Sequence, residues 1–147
     1  MLFRSNVYAH VGKKVLKELV KLTEGSKTKL FALTVLTHYD DEYTNELYGK
    51  NMEETVKLLS SWAEESGCHG VILPAKYLHV VNNTKLLKMC PGIRPEWYEN
   101  KNINNQKQIA TPSKAFNNGA NYIVVGSPIM KSDDPEQSLV KILNEIS

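Results

Sequence analysis

Apolar positions along this chain switch repeatedly between the short runs of buried strands and the three-to-four spacing of amphipathic helices. Asn6 to Ala9 is a short apolar segment cut by Gly12. Lys13 to Leu22 then places Val15, Leu16, Leu19 and Val20 on one helical face, and Gly25-Ser26 breaks it. Leu30 to Leu36 is a continuous apolar run of strand length, as expected for a strand covered on both faces. A polar stretch rich in Asp, Asn and Tyr follows from His38 to about Lys50 and reads as a loop. Met52, Val56, Leu59 and Ala63 mark a second amphipathic helix, closed by Gly67. Gly70 to Leu73 and Leu86 to Cys90 read as the third and fourth strands. Ser113 opens a short helix ending near Gly119, and Tyr122 to Val125 is a fifth strand. Asp134 as N-cap and Pro135 at the first helical position open a last helix, with Leu139, Ile142, Leu143 and Ile146 expected to face inward.

Alternating strands and helices imply parallel strands joined by right-handed crossovers, an α/β fold. The pattern alone leaves two shapes open, a doubly wound sheet or part of a barrel. The 147 residues form one domain's worth of chain, with no internal repeat or low-complexity stretch. A hydrophobic fraction of 41% against 23% charged residues describes a globular chain rather than a disordered one. Eighteen basic residues are interspersed with sixteen acidic ones, and Lys13-Lys14 and Lys85 with Lys88 read as solvated faces, so no nucleic-acid stripe emerges. No apolar run approaches a membrane span, and the start, Met1 to Asn6, turns polar too soon for a signal peptide. Cys68 and Cys90 make neither a metal motif nor a disulfide framework, and they fall at opposite ends of neighbouring strands. The expectation is a reduced, cytoplasmic protein. His10, His38, His69 and His79 lack zinc spacing, and neither a P-loop nor a Ser-His-Asp set is present.

Three segments carry the strongest chemical signal. They are Cys90-Pro91-Gly92-Ile93-Arg94-Pro95, Ala110-Thr111-Pro112, and Tyr122-Ile123-Val124-Val125-Gly126-Ser127-Pro128-Ile129. Each reads as a strand end followed by turn residues, where α/β barrels place ligand-binding groups. In order and content they resemble the C-terminal part of the orotidine 5′-monophosphate decarboxylase family, with its T-P-G-I-R-P, D-Q-x-R-x-x-T-P and Y-I-V-V-G-R-P-I segments. The resemblance implies that residues 1–147 form a partial (β/α)8 TIM barrel of about five strand–helix units, strands 4 to 8. Asn6 to Ala9 is similar to the family's fourth strand and Leu30 to Thr37 to its fifth. A whole barrel takes about 250 residues, so the first three strands are expected to be missing.

The resemblance also implies a division of labour. Catalysis in the family rests on a D-x-K-x-x-D run at the third strand, whose lysine protonates the carbanion left by CO₂. The aspartates here are Asp40, Asp41, Asp133 and Asp134, and none is followed two positions later by Lys; no catalytic residue is therefore assigned. The implied substrate-binding residues are Thr37, Arg94, Gln106, Gly126 and Ser127, with no metal and no cofactor. Arg94 is a guanidinium at a strand end, suited to an anion. Ser127 stands where the family has arginine, which replaces a charge-assisted phosphate contact by a neutral one. His38 stands where the family has Ser, His69 where it has Asp, and Asn104-Asn105 where Asp precedes Gln. The implied partners are orotidine 5′-monophosphate or UMP, and a second chain: a homodimer, as in relatives, or a complementary N-terminal fragment. Two readings follow: a decarboxylase part that is inert alone, or a non-catalytic half-barrel that binds a phosphorylated ligand weakly or serves in assembly.

Overall fold

A computed structural model describes residues 3–98 and 110–147. Five parallel strands lie side by side in chain order: β1 (Phe3–Tyr8), β2 (Thr28–Leu33), β3 (Gly70–Ile72), β4 (Leu87–Cys90) and β5 (Tyr122–Ile123). The helices are α1 (Lys13–Lys21), α2 (Asp41–Tyr48), α3 (Met52–Glu65), α4 (Pro112–Asn117), α5 (Ser127–Met130) and α6 (Pro135–Ile146). The connection from β3 to β4 is a 3₁₀ segment, Ala75–Val81, which buries Ala75, Tyr77, Leu78 and Val81.

The core lies between the convex face of the sheet and the helices. Leu30 and Ala32 of β2, Val71 of β3 and Cys90 of β4 meet Leu16 of α1 and Met52, Val56, Leu59 and Ala63 of α3 there. Trp62 packs against the rim of this cluster, as its place beside the apolar stripe suggests. The opposite set of side chains, Phe31, Ile72, Met89 and Tyr122, occupies the concave face, because side chains alternate along a strand.

That face curves. Register pairs Asn6 with Phe31, Phe31 with Gly70, Ile72 with Met89 and Met89 with Tyr122. Yet the guanidinium of Arg4, on one edge strand, lies 4.3 Å from the ring centroid of Tyr122, on the other edge strand. A flat sheet would hold edges four strand spacings apart, about 19 Å. The barrel stagger, in which alternate strands supply one horizontal layer, instead brings Arg4, Gly70 and Tyr122 to one level. Gly70 contributes no side chain, and the Phe31 ring fills the space, edge-on to Tyr122 at 6.1 Å. A Cβ on Gly70 would collide with that ring and with the Leu87 carbonyl. The five strands are an arc of a barrel rather than an open twisted sheet.

Several expectations are corrected. The second strand ends at Leu33 rather than Leu36, although Thr34 still donates its amide (3.0 Å) and its hydroxyl (3.0 Å) to the Ile72 carbonyl. Residues 38–50 are not a loop: they hold α2, with the Asp40 carboxylate accepting from the Tyr43 amide and Gly49 ending the helix at φ 64°. Val35, within the run read as the second strand, follows that strand and packs in the core. In α6, Ile142 is 3% exposed, but Leu139 and Leu143 are 45% and 49% exposed. The described neighbours, α4 and α5, cover one side of that helix only.

Candidate functional site

Ligand-type groups gather beyond the carboxyl ends of β2, β4 and β5. Thr37 follows β2 and is buried. A turn closed by the Tyr39 amide on the Leu36 carbonyl at 3.1 Å holds it at a corner. His38, beside it, is exposed and meets the Tyr39 ring edge-on at 5.0 Å. Arg94 follows β4 through the Pro91-Gly92 turn, where Gly92 takes φ 72°, a conformation that favours glycine. Its amide donates to the Ala110 carbonyl at 2.9 Å, and Ile93 bridges in parallel to Ala110. The guanidinium lies 5.5 Å from the Tyr98 ring centroid.

Gly126 follows β5 and opens α5, its carbonyl accepting from the amides of Ile129 (3.0 Å) and Met130 (2.9 Å). Its φ is −104°, and a Cβ there would meet nothing within 4 Å. Packing does not call for glycine at this position. Ser127 is half-buried in the first turn of α5. Gln106 lies outside the described residues. Thr37, Arg94, Gly126 and Ser127 thus sit at the same end of the arc, on three different strand ends.

An aromatic group borders this end that sequence reasoning did not single out. Tyr39 and Tyr43 lie 4.2 Å apart between ring centroids, and Tyr8 stacks at 5.0 Å on His10. Burial, followed by hydrogen bonding with Tyr43, pushes the Tyr39 phenol up to about 12, so it stays protonated at neutral pH. The i, i+4 spacing of Tyr39 and Tyr43 was the available signal, hidden by reading the segment as a loop.

The acids have structural work elsewhere. Asp40 caps α2, the Asp41 carboxylate accepts from the Met52 amide at 2.8 Å, and Asp134 caps α6 by accepting from the Gln137 amide. His69 also serves the sheet: its Nδ1 accepts from the Leu30 amide at 3.1 Å. Among the described residues, no group of three or more His, Cys, Asp or Glu is placed to hold a metal ion. No helix among them is long and apolar enough to cross a membrane. Chemically, this end offers an arginine, a hydroxyl and accessible backbone at Gly126; among the described residues it brings no lysine–carboxylate array to the strand ends.

Parallel strands on a barrel arc, with anion-type groups at their carboxyl ends, define a piece of a βα-barrel enzyme architecture. The chain belongs to the orotidine 5′-phosphate decarboxylase / HUMPS family, whose sequence pattern matches residues 5–142. It is 38% identical over 140 residues to an orotidine 5′-phosphate decarboxylase of Wolbachia pipientis subsp. Culex pipiens, covering 92% of this chain and 60% of that protein. It is 36% identical over 146 residues to that of Ehrlichia chaffeensis, covering 96% of this chain and 62% of the relative. The crystal structure of orotidine 5′-phosphate decarboxylase from Lactobacillus acidophilus superposes with a TM-score of 0.77 at 31% identity, over 99% of this chain and 63% of that one. The chain therefore spans about three-fifths of the length of the curated relatives it matches.

Proposed function

We propose that this chain is the nucleotide-holding part of an orotidine 5′-monophosphate decarboxylase barrel. In this reading it binds orotidine 5′-monophosphate or UMP at the carboxyl ends of its strands and does not itself perform the decarboxylation. It would work in the cytoplasm, alongside the nucleotide pool.

The observation that carries this reading is Gly126. An exposed glycine that packing does not require suits a place where a ligand group approaches the main chain closely. The family resemblance puts a phosphate there. Arg94 supplies a charge-assisted contact and Thr37 a hydroxyl. Gln106 would add an amide, while Ser127 offers one neutral hydrogen bond where an arginine would give about twice as much. Asp40, Asp41 and Asp134 are occupied in caps and turns, and no Lys follows any Asp of the chain at the family's spacing. No Asp–Lys pair at that spacing is then available on this chain to protonate a carbanion.

Three outcomes are expected. Purified chain releases no CO₂ from orotidine 5′-monophosphate above the uncatalysed rate. It binds UMP with a Kd in the high micromolar to millimolar range, around −4 to −6 kcal/mol. Gly126→Ala keeps the circular dichroism spectrum but weakens UMP binding about tenfold, while Ser127→Arg tightens it by about 2–4 kcal/mol. Calorimetric titration of UMP into the three proteins checks this. Unchanged binding in both variants, with the fold intact, rejects the phosphate assignment and favours a half-barrel without nucleotide function.

A further inference from the structure

Three strands meet at one histidine. The paired run of β3 begins at Gly70, which stands opposite Phe31 of β2 and Leu87 of β4. His69 precedes that run and is bonded to both neighbours: its amide donates to the Leu30 carbonyl at 3.0 Å, and its carbonyl accepts from the Leu87 amide at 3.1 Å. Further along, the Thr34 amide donates to the Ile72 carbonyl. Parallel ladders are evenly spaced, so stepping back two residues at a time would bring the Leu30 amide to the Cys68 carbonyl. It donates instead to Nδ1 of the His69 ring at 3.1 Å. A side chain thus closes the first rung between β2 and β3. Leu30 is 4% exposed, so water does not freely replace the ring, and a buried amide left without a partner is costly.

This bond fixes the state of the ring. Nδ1 accepts only while it carries no hydrogen, so the ring is neutral with its hydrogen on Nε2. An imidazolium carries hydrogen on both nitrogens and accepts from no donor. A proton and the Leu30 amide therefore compete for one lone pair. An ordinary imidazole takes up its proton at about pH 6.5, within reach of mild acid. The charged groups on the surrounding elements do not hold that proton in place. Lys27 and Lys29 lie at the start of β2, Lys85 and Lys88 at the start of β4, and the Cys68 thiol beside His69 is buried. Glu64 and Glu65 end α3, but Glu64 accepts from the Lys85 amide at 3.4 Å and Glu65 pairs with Lys13 at 2.9 Å. Among the described residues no carboxylate lies within 4.0 Å of the His69 ring.

We propose that His69 is a proton-operated latch at the amino ends of β2, β3 and β4. Neutral, it holds the first rung closed; protonated, it releases the Leu30 amide. The ring is half-buried, so turning it out to solvent needs no passage through the core. What loosens next is the level where Gly70 and the Phe31 ring interlock, one residue further along both strands. Mild acid then opens the sheet at this end, opposite the strand ends that carry Thr37, Arg94 and Gly126. The latch belongs to the sheet and is independent of the nucleotide reading.

Hydrogen exchange at single amides, followed by NMR on the purified chain at about pH 7.5 and about pH 5.5, tests it. The protection factor of the Leu30 amide, which removes the intrinsic effect of pH on exchange, should fall about tenfold or more in acid while the amides of α6 keep theirs. His69→Asn puts a carbonyl oxygen in place of Nδ1 and does not titrate, so Leu30 should be equally protected at both pH values. His69→Gln carries its carbonyl one bond further out and should leave Leu30 poorly protected at both. The ring-nitrogen shifts of the parent need no variant to fold: the neutral ring with hydrogen on Nε2 should give way to imidazolium in step with the loss of Leu30 protection. Leu30 protection unchanged in acid, an equal fall across α6, or the same acid loss in His69→Asn as in the parent overturns the proposal.

Discussion

Two glycines show how differently the same residue is used. Gly70 is closed in: a methyl group there meets the Phe31 ring on one side and the Leu87 carbonyl on the other. Gly70→Ala is expected to cost about 2–4 kcal/mol, an overpacking penalty without an easy escape. Because the Leu87 oxygen is backbone, adding Phe31→Leu should recover only part of that loss. Urea unfolding of the single and double variants measures both. Gly126 has open space, so its alanine variant should unfold at the same urea concentration as the parent. The family resemblance had already singled out Gly126 as a ligand position, whereas the role of Gly70 was not visible beforehand. Gly70 reads simply as the start of a strand, and its contact with Phe31, 39 positions earlier, exists only once register and stagger are set. The same holds for His69, whose ring nitrogen takes the Leu30 amide. Arg94 and Thr37 were legible as strand-end residues because turn chemistry beside an apolar run is local information.

At the level of elements, the clearest lesson is α2. Its start and stop were written in the sequence: Asp40 as N-cap, Asp41 and Glu42 in the first turn, Gly49 after the end. What misled was the face it buries, carried by Thr44 with its hydroxyl on the Asp40 carbonyl at 3.1 Å rather than by aliphatic residues. The next helix has a reciprocal cap: Asn51 accepts from the Glu54 amide, and Glu54 accepts from that of Asn51. Asn51→Ala should therefore cost about 1 kcal/mol, and Asn51→Gly only a few tenths. Thermal melts of the two variants distinguish a capping loss from a packing loss. The last helix went the other way. Its caps and period were right, but Leu139 and Leu143 face outward, beyond the side that α4 and α5 cover. Periodicity reports that a stripe exists, not who covers it.

For the molecule as a whole, strand–helix alternation established parallel α/β order but not its curvature. The motif resemblance chose the barrel, and the contact of Arg4 with Tyr122 shows the arc. Buried protonated groups also make the fold sensitive to alkali. Burial pushes the thiols of Cys68 and Cys90 up to about 11 and about 12, and the Tyr39 phenol to about 12. In the unfolded chain the thiols release their protons near 9. The unfolded state thus binds fewer protons between about pH 9 and 12, and stability falls as pH rises through that window. Urea midpoints should hold steady up to about pH 8 and then decline, with a shallower decline in Cys90→Ala. An equal slope in parent and variant would remove Cys90 from this account.

The curved sheet has a mechanical corollary. A closed barrel fixes its own radius by coming full circle, whereas an arc behaves as a leaf spring whose ends, among the described residues, are tied by the ring contact and hydrogen bond of Arg4 with Tyr122. The distance between the end of β2, carrying Thr37, and the end of β5, carrying Gly126, then follows the opening of the arc. A ligand that bridges those two ends closes the spring, so its affinity and the curvature of the sheet are linked.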